Sequence, residues 1–228
     1  MNVTNETLLA MIEEGTGTTA TDSSGNGNTV TLTNGPTWTT GKVGAGALSF
    51  DGVDDYVKVE DVSLSSNFPY QSGFSGDKFS ISVWVNSRNT GTQYIITKTD
   101  NTWNNYGFYL RISWDDDIYF EVSTGSDTSV IAQSGTSIGV INDNEWHHIV
   151  GTYDGLNAMI YLDGAFPSSA NNPKATTGNI DVNSIPFTIG IFGDKSTQPF
   201  PGLLDEVRIY NRAFTQAEVT ELYNYTEV

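Results

Sequence analysis

Apolar and polar residues alternate with a period of two over many short segments of the chain. In residues 79–85 the alternation places Phe79, Ile81, Val83 and Val85 on one side and Trp84 on the other. This is the pattern of a half-buried β-strand. Similar runs recur at 94–97, 106–113, 118–122, 148–153, 158–162, 187–191 and 206–210. Because turn residues separate these runs, the pattern predicts an all-β chain of antiparallel strands.

One segment has the pattern of a helix. Residues 215–222 read TQAEVTEL, in which Thr215 and Glu218 have the spacing of a capping box. Phe214, just before them, is placed to contact Val219 as a hydrophobic staple. We expect a short C-terminal helix that closes one end of a β-sandwich. No shift in composition and no internal repeat divides the chain, so we predict a single domain over residues 1–228.

Charge and composition exclude several classes of function. The chain of 228 residues has 10 Lys and Arg against 27 Asp and Glu, a formal charge of −17, and contains no Cys. Such an acidic chain lacks the clustered cations that nucleic acid requires, so we expect no nucleic-acid partner. No apolar run approaches the roughly 20 residues that span a bilayer, so we expect no membrane insertion. Without Cys, disulfides and thiolate chemistry are excluded.

Four segments, in this order, carry a family resemblance. Residues 22–28 read DSSGNGN, 47–57 read ALSFDGVDDYV, 146–155 read WHHIVGTYDG and 202–214 read GLLDEVRIYNRAF. The chain resembles the laminin-G-like modules of the concanavalin A-like lectin/glucanase superfamily, relatives of the pentraxins. The resemblance implies a two-sheet antiparallel jelly roll, often with bound calcium, that binds carbohydrate or mediates adhesion. It further implies an extracellular or cell-surface location, or alternatively the surface of a viral particle, within a multidomain host polypeptide.

A structural calcium ion is predicted near the N-terminus. Calcium takes six to eight oxygen ligands, and residues 22–28 offer the side chains of Asp22, Asn26 and Asn28 on a glycine-rich backbone. The resemblance adds Asp205 as a distant ligand at the start of the last strand, where it would tie that strand to the loop. The alternative is that Asp22 and Asn26 only form turns. A second calcium site, suggested by a pentraxin-like Asp100-Asn101 pair with Asp194, is left open.

Aromatic residues next to amides and acids suggest a carbohydrate site. Sugars present apolar faces to flat rings and hydroxyls to polar side chains. Trp103, Asn105 and Tyr106 share one loop-like segment, and Trp114 precedes three aspartates. We predict these four residues as ligand contacts. The wider aromatic set of this region comprises Trp103, Tyr106, Tyr109, Trp114, Tyr119 and Phe120. Strand alternation implies that about half of these six residues pack in the core.

The sequence predicts no catalytic site. The Glu-x-Asp-x-x-Glu pattern of laminarinase-type relatives does not occur, and Glu121 is an isolated carboxylate. Arg111, Tyr109 and His147 resemble the residues of a polysaccharide lyase only loosely. His147 and His148, as neighbours in a strand, point to opposite faces and cannot share one ion. We expect a non-catalytic module that binds glycan. The alternative is a protein-assembly or adhesion domain of a larger surface or viral protein, and a divergent glycan-cleaving enzyme ranks third.

Overall fold

The computed structural model describes residues 7–11, 14–74, 76–87, 91–100, 107–124, 128–135, 141–169, 171–176, 180 and 182–225. Its strands, in chain order, are β1 (Thr7–Met11), β2 (Thr19–Ala20), β3 (Val30–Thr33), β4 (Thr37–Thr39), β5 (Ala47–Asp51), β6 (Tyr56–Val59), β7 (Phe79–Ser87), β8 (Gln93–Lys98), β9 (Phe108–Ile112), β10 (Ile118–Thr124), β11 (Thr128–Gln133), β12 (Trp146–Tyr153), β13 (Asn157–Leu162), β14 (Lys174–Ala175), β15 (Phe187–Ile189) and β16 (Pro201–Tyr210). A 3-10 turn (Asp61–Ser63) and a helix, α1 (Gln216–Tyr223), complete the elements.

The strands form two antiparallel sheets. Sheet A has the order β14-β13-β12-β7-β16-β5-β4, with β1 pairing to the second half of β16. Sheet B has the order β11-β10-β9-β8-β15-β6-β3-β2. Each sheet also pairs strands that are distant in sequence, such as β7 with β16 and β8 with β15, as in a jelly roll. The predicted all-β jelly-roll sandwich with a short C-terminal helix is therefore confirmed.

One hydrophobic core lies between the sheets. Phe79, Ile81, Val83 and Val85 of β7 are all fully buried and belong to it, as the alternation predicted. The long connection after the 3-10 turn adds Phe68 and Tyr70, which close one end of the sandwich. The Tyr70 hydroxyl donates to the Ser123 carbonyl at 2.6 Å, so the polar end of this buried ring is satisfied.

Helix α1 covers part of the outer face of sheet A, whereas the sequence predicts that it closes one end of the sandwich. The Thr215 hydroxyl accepts from the Glu218 amide and the Glu218 carboxylate accepts from the Thr215 amide, so the predicted capping box is confirmed. Phe214 and Val219 join Val150, Tyr161 and Tyr210 in a second apolar cluster beneath the helix. No helix in the described part of the chain has the length and hydropathy needed to cross a membrane.

Candidate functional site

The outer face of sheet B presents two adjacent rows of side chains across neighbouring strands. In one row Arg111 of β9 lies between its register partners Tyr94 of β8 and Tyr119 of β10. In the next row Tyr109 of β9 pairs with Glu121 of β10. The residues of β9 that alternate with Tyr109 and Arg111 point into the core and are fully buried, namely Phe108, Leu110 and Ile112. We call Tyr94, Tyr109, Arg111, Tyr119 and Glu121 the tyrosine–arginine face.

The members of this face hold one another in place. The Arg111 guanidinium lies 4.0 Å from the centre of the Tyr119 ring and 5.8 Å from that of Tyr109, within the range of cation–π attraction. The Tyr94 and Tyr109 rings meet edge to face at 5.2 Å. The Tyr109 hydroxyl hydrogen-bonds to Glu121. Because each ring is fixed by a neighbour, the face is preorganised before any ligand arrives.

The tyrosines of this face are poor bases. Burial raises the pKa of Tyr94, Tyr109 and Tyr119 above the ordinary value of 10.0. Nearby carboxylates raise these pKa values further, while Arg111 acts in the opposite direction. All three phenols therefore stay neutral over the physiological pH range, and they offer rings and hydroxyl groups rather than general bases.

Trp114 lies in the turn between β9 and β10, the two strands that carry most of the face. Its side chain is 72% exposed. The Ser113 amide donates to the Asp117 carbonyl and the Asp116 amide to the Ser113 carbonyl, which closes the turn. Asp117 also accepts from the Ser134 hydroxyl and the Gly135 amide. The turn is thus a rigid support for an exposed indole ring. Ser113 in addition hydrogen-bonds to Tyr119, which joins the turn to the face.

The other predicted ligand contacts, Trp103, Asn105 and Tyr106, lie outside the described residues. The described residues that flank this segment, Asp100 and Gly107, lie at the opposite end of β9 from Trp114. Five residues of strand separate the two ends, about 16 Å at roughly 3.3 Å per residue. The tyrosine–arginine face occupies the space between them.

The predicted calcium ligands in the 22–28 loop are held by hydrogen bonds. Asp22 is nearly buried, and its two carboxylate oxygens accept from the Ser24 and Asn28 amides, each at 2.9 Å. The Asn28 side-chain oxygen accepts from the Ser65 amide at 2.7 Å. Asn26 contacts the Ser24 hydroxyl. These contacts fit the turn-forming alternative, and calcium in this loop stays a prediction.

Asp205 does not join this loop, contrary to expectation. The preceding residue, Leu204, points into the core, so alternation directs Asp205 to the outer face of sheet A. Asp205 is nevertheless fully buried there. One of its oxygens accepts from the Lys42 and Val43 amides at 2.7 and 3.0 Å, and the other from the Glu206 amide at 2.7 Å. Asp205 therefore ties the last strand to the turn at 42–43, whereas the 22–28 loop joins two strands at the edge of sheet B. A calcium ion in that loop would have to be held without Asp205.

The open second calcium site is described only in part. Asp194 accepts from the Ser196 and Thr197 amides at 2.9 and 3.2 Å, so it stabilises its own turn. The preceding Gly193 packs closely on the chain just after β8, where a Cβ would lie 1.7 Å from the Thr99 carbonyl oxygen. Asp100 and Asp194 thus belong to neighbouring segments. Asn101 lies outside the described residues, and this site also stays a prediction.

A depression on sheet A and a cluster of three aspartates are less suited to sugar binding than the tyrosine–arginine face is. A depression of about 480 Å³ on the outer face of sheet A is lined by side chains such as Ser49, Asn86 and Leu203. Its lining contains one aromatic residue, Phe50, which is 3% exposed and so unavailable for stacking. Elsewhere Asp51, Asp54 and Asp55 bring carboxylate oxygens within 4.8 Å of one another. Asp51 and Asp55 accept backbone amides of the same turn.

The two histidines have separate structural roles. The His147 ring lies between Asp163 and Asp143, at 2.9 and 3.2 Å. His148 is buried on the outer face of sheet A and bonds Ser82 at 2.8 Å. The expectation that they cannot share an ion is confirmed. Both belong to β12 of sheet A, so neither joins Arg111 and Tyr109 on the outer face of sheet B, and the lyase-like trio is not assembled.

Comparison with known proteins identifies the family. The laminin G-like model described as "Concanavalin A-like lectin/glucanases superfamily" matches residues 50–220. The chain belongs to this superfamily. Its match begins at the end of β5 and extends into α1, so it includes strands of both sheets but not β1–β4. The resemblance read from the sequence is therefore confirmed.

The individual proteins that resemble this chain share less than 30% of its sequence. The adhesion G-protein coupled receptor V1 of Danio rerio is 28% identical over 152 residues, which are 64% of this chain and 2% of the receptor. The binding domain of Paraclostridial Mosquitocidal Protein 1 superposes with a TM-score of 0.75 at 19% identity, over 98% of this chain and 53% of that one. This chain thus spans about half of that binding domain and a small fraction of the receptor.

A third relative matches almost end to end. Domain 4 of AbnA, an extracellular arabinanase of family GH43 from Geobacillus stearothermophilus, has a TM-score of 0.69 at 19% identity. The match covers 96% of this chain and 98% of that domain, which was solved with arabinotriose. At such identities the structural likeness establishes the shared fold.

Sequence reasoning missed most of the tyrosine–arginine face. Tyr109 and Tyr119 were in the aromatic set, but Tyr94, Arg111 and Glu121 were not predicted as contacts. A signal was present, because residues 109 and 111 alternate with core positions in one strand and residues 119 and 121 do so in the next. The pairing register between the strands, which the sequence does not state, brings them together.

Proposed function

We propose that this domain is a non-catalytic carbohydrate-binding module whose glycan lies on the tyrosine–arginine face and against Trp114. The observation that carries the proposal is the indole ring of Trp114, 72% exposed on a hydrogen-bonded turn that continues directly into Tyr119. A flat ring of this size offers a large apolar area that a ligand can cover on binding. Rings beside hydroxyl, carboxylate and guanidinium groups match the alternating apolar and polar faces of a sugar.

A binding role fits the chemistry of the face better than a catalytic one. Glycosidases need two carboxylates about 5–5.5 or 6.5–9.5 Å apart. Glu121 is the one carboxylate of the face, and it already accepts a hydrogen bond from Tyr109. The three tyrosines are neutral, with pKa values raised above 10.0. The AbnA domain, solved with arabinotriose, supports the same role for this fold.

The proposal also includes the location of the module and a bound calcium ion. We infer that the module works outside the cell or at its surface as part of a longer polypeptide. Support comes from relatives named as an adhesion receptor and an extracellular arabinanase. We also retain one structural calcium ion in the 22–28 loop, with Asp22 as its carboxylate ligand. The ion would stabilise the loop, which lies between the edge strands β2 and β3 and away from β8–β10.

A glycan array followed by titration of the best ligand tests the proposal. We expect Trp114→Ala to weaken glycan binding about fivefold or more, because a stacked ring contributes on the order of 1–3 kcal/mol. The matched control is Tyr225→Ala, since Tyr225 is 44% exposed and lies near Arg208 of sheet A. This control should bind like the wild type. Silence on a broad array, or equal binding by Trp114→Ala, would contradict the proposal and favour a protein partner.

A further inference from the structure

The described arginines differ in whether they form an ion pair. Arg208 forms an ion pair with Glu206, and Arg212 forms one with Glu218. Arg111 forms no ion pair and no hydrogen bond with any described residue, and its Nε atom is buried without a partner. A chain with a formal charge of −17 has carboxylates in excess, so an unpaired guanidinium needs an explanation.

Four carboxylates lie around the tyrosine–arginine face, and three of them are bonded to other groups. Glu121 accepts from Tyr109, and Asp117 accepts from Ser134 and Gly135. Asp194 accepts from the amides of its own turn. The remaining one, Asp115, acts on Tyr119 only through space. None of the four forms an ion pair with Arg111, so its terminal nitrogens keep their donor capacity.

The stacking of Arg111 leaves its edge available. A guanidinium whose flat face lies on an aromatic ring still directs its N–H groups outward in its plane. Here the Tyr119 ring occupies that flat face at 4.0 Å. A planar acceptor with two oxygens, such as a carboxylate, matches the two outward N–H groups better than a single hydroxyl does.

We propose that Arg111 is the specificity-determining residue of the glycan site and that it binds the carboxylate of an acidic sugar unit. This inference rests on the proposed function and narrows its ligand class. The four surrounding carboxylates disfavour a polymer with a charge on every unit, because its further charges would meet Glu121, Asp115, Asp117 and Asp194. The ligand is therefore a largely neutral glycan with one carboxylate-bearing sugar.

Matched pairs of oligosaccharides test this inference. Each pair consists of a glycan with one uronic or sialic acid unit and the same glycan after reduction of the carboxyl group to an alcohol. We expect the wild type to bind the acidic form about tenfold more tightly, as a charge-assisted bidentate hydrogen bond requires. Arg111→Gln should remove this preference and still bind the reduced form through Trp114. Arg111→Lys should keep part of the preference, since it retains the charge but not the fork.

Lys42→Met is the matched control. Lys42 is another cation that lies over an aromatic ring, 5.0 Å from the centre of the Trp84 ring, but it lies beside sheet A. This variant should keep the full preference for the acidic form. Equal affinity of the wild type for both members of every pair, or an unchanged preference in a folded Arg111→Gln variant, would overturn the inference and leave the proposed function standing. Failure of both members to bind would instead contradict the proposed function, and the inference with it.

Discussion

The outer faces of the two sheets have similar residues in different states. On sheet A, Trp84 is 5% exposed and is stacked on Tyr223 of the C-terminal helix, with ring centres 5.5 Å apart. Beside sheet B, Trp114 is 72% exposed. The outward arginine of sheet A, Arg208, is paired with Glu206, whereas Arg111 of sheet B is unpaired. On sheet A the chain itself covers the indole ring and pairs the arginine, whereas beside sheet B the indole ring is exposed and the arginine is unpaired.

This difference shows what decides whether an outward aromatic residue packs or binds. Strand alternation sends Trp84 and Tyr119 outward in the same way. What separates them is a second element: α1 returns over sheet A, and no described helix covers β8–β10. An outward ring that its own chain covers contributes to stability, and one that is left open is available to a partner.

Replacing the two tryptophans separates these roles most strongly. We expect Trp84→Ala to lower the free energy of unfolding by about 3–5 kcal/mol, because it leaves a cavity under α1. Trp114→Ala should change the free energy of unfolding by less than about 0.5 kcal/mol, since the side chain is mostly in solvent. Urea unfolding of both variants measures this. Similar losses in the two variants would contradict the distinction between covered and open faces.

Removal of the Asp205 carboxylate tests the hydrogen bonds on the covered side. Asp205→Ala leaves three backbone amides without their acceptor, so we expect a loss of about 2–3 kcal/mol. The structure gives this carboxylate no contact with the 22–28 loop, so the loss should be equal in calcium and in excess EGTA. A loss confined to calcium-containing buffer would show instead that Asp205 is a calcium ligand.

Calcium in the 22–28 loop gives a smaller and separate effect. If the loop binds the ion as proposed, excess EGTA should lower the thermal midpoint by a few degrees. Asp22→Asn should remove this response to EGTA, and Asp205→Ala should keep it. A wild-type midpoint that is identical in calcium and in EGTA would remove calcium from the account and leave the turn-forming alternative for Asp22 and Asn26.

The smallest expected effect concerns pH and His147. Its hydrogen bond with Asp163 raises the pKa of His147 above 6.5, and Asp143 acts in the same direction. A raised pKa in the folded state stabilises the protein fully below pH 6.5, and this stabilisation is lost as the pH rises through the folded-state value. The ring is partly exposed, so the contribution should be below about 1 kcal/mol.

The comparison of wild type with His147→Gln between pH 6 and 8 isolates this contribution. Burial lowers the pKa of the neighbouring His148 to about 4, so that ring does not titrate in this range. The difference in unfolding free energy between the two proteins should shrink as the pH rises. A difference that is constant with pH would mean that the charge of His147 does not stabilise the fold.

The sequence specified the fold far better than the site. Alternation in residues 79–85 and the capping box at Thr215 and Glu218 are local signals, and both elements have the predicted form. The tyrosine–arginine face depends on which strands pair and in what register, which is set by the packing of the whole sandwich. The role of Asp205 was misplaced for the same reason, since its partners at 42–43 are more than 160 positions away.

The most direct test of the central claim is to map the glycan site by NMR. Backbone amide and indole shifts of the isotope-labelled protein would be recorded as the best array ligand is added. We predict that the perturbed signals cluster on β8–β10, at Tyr94, Arg111 and Tyr119, together with the Trp114 indole. Perturbations centred on the outer face of sheet A, around Trp84 or the depression lined by Asn86 and Leu203, would contradict the account.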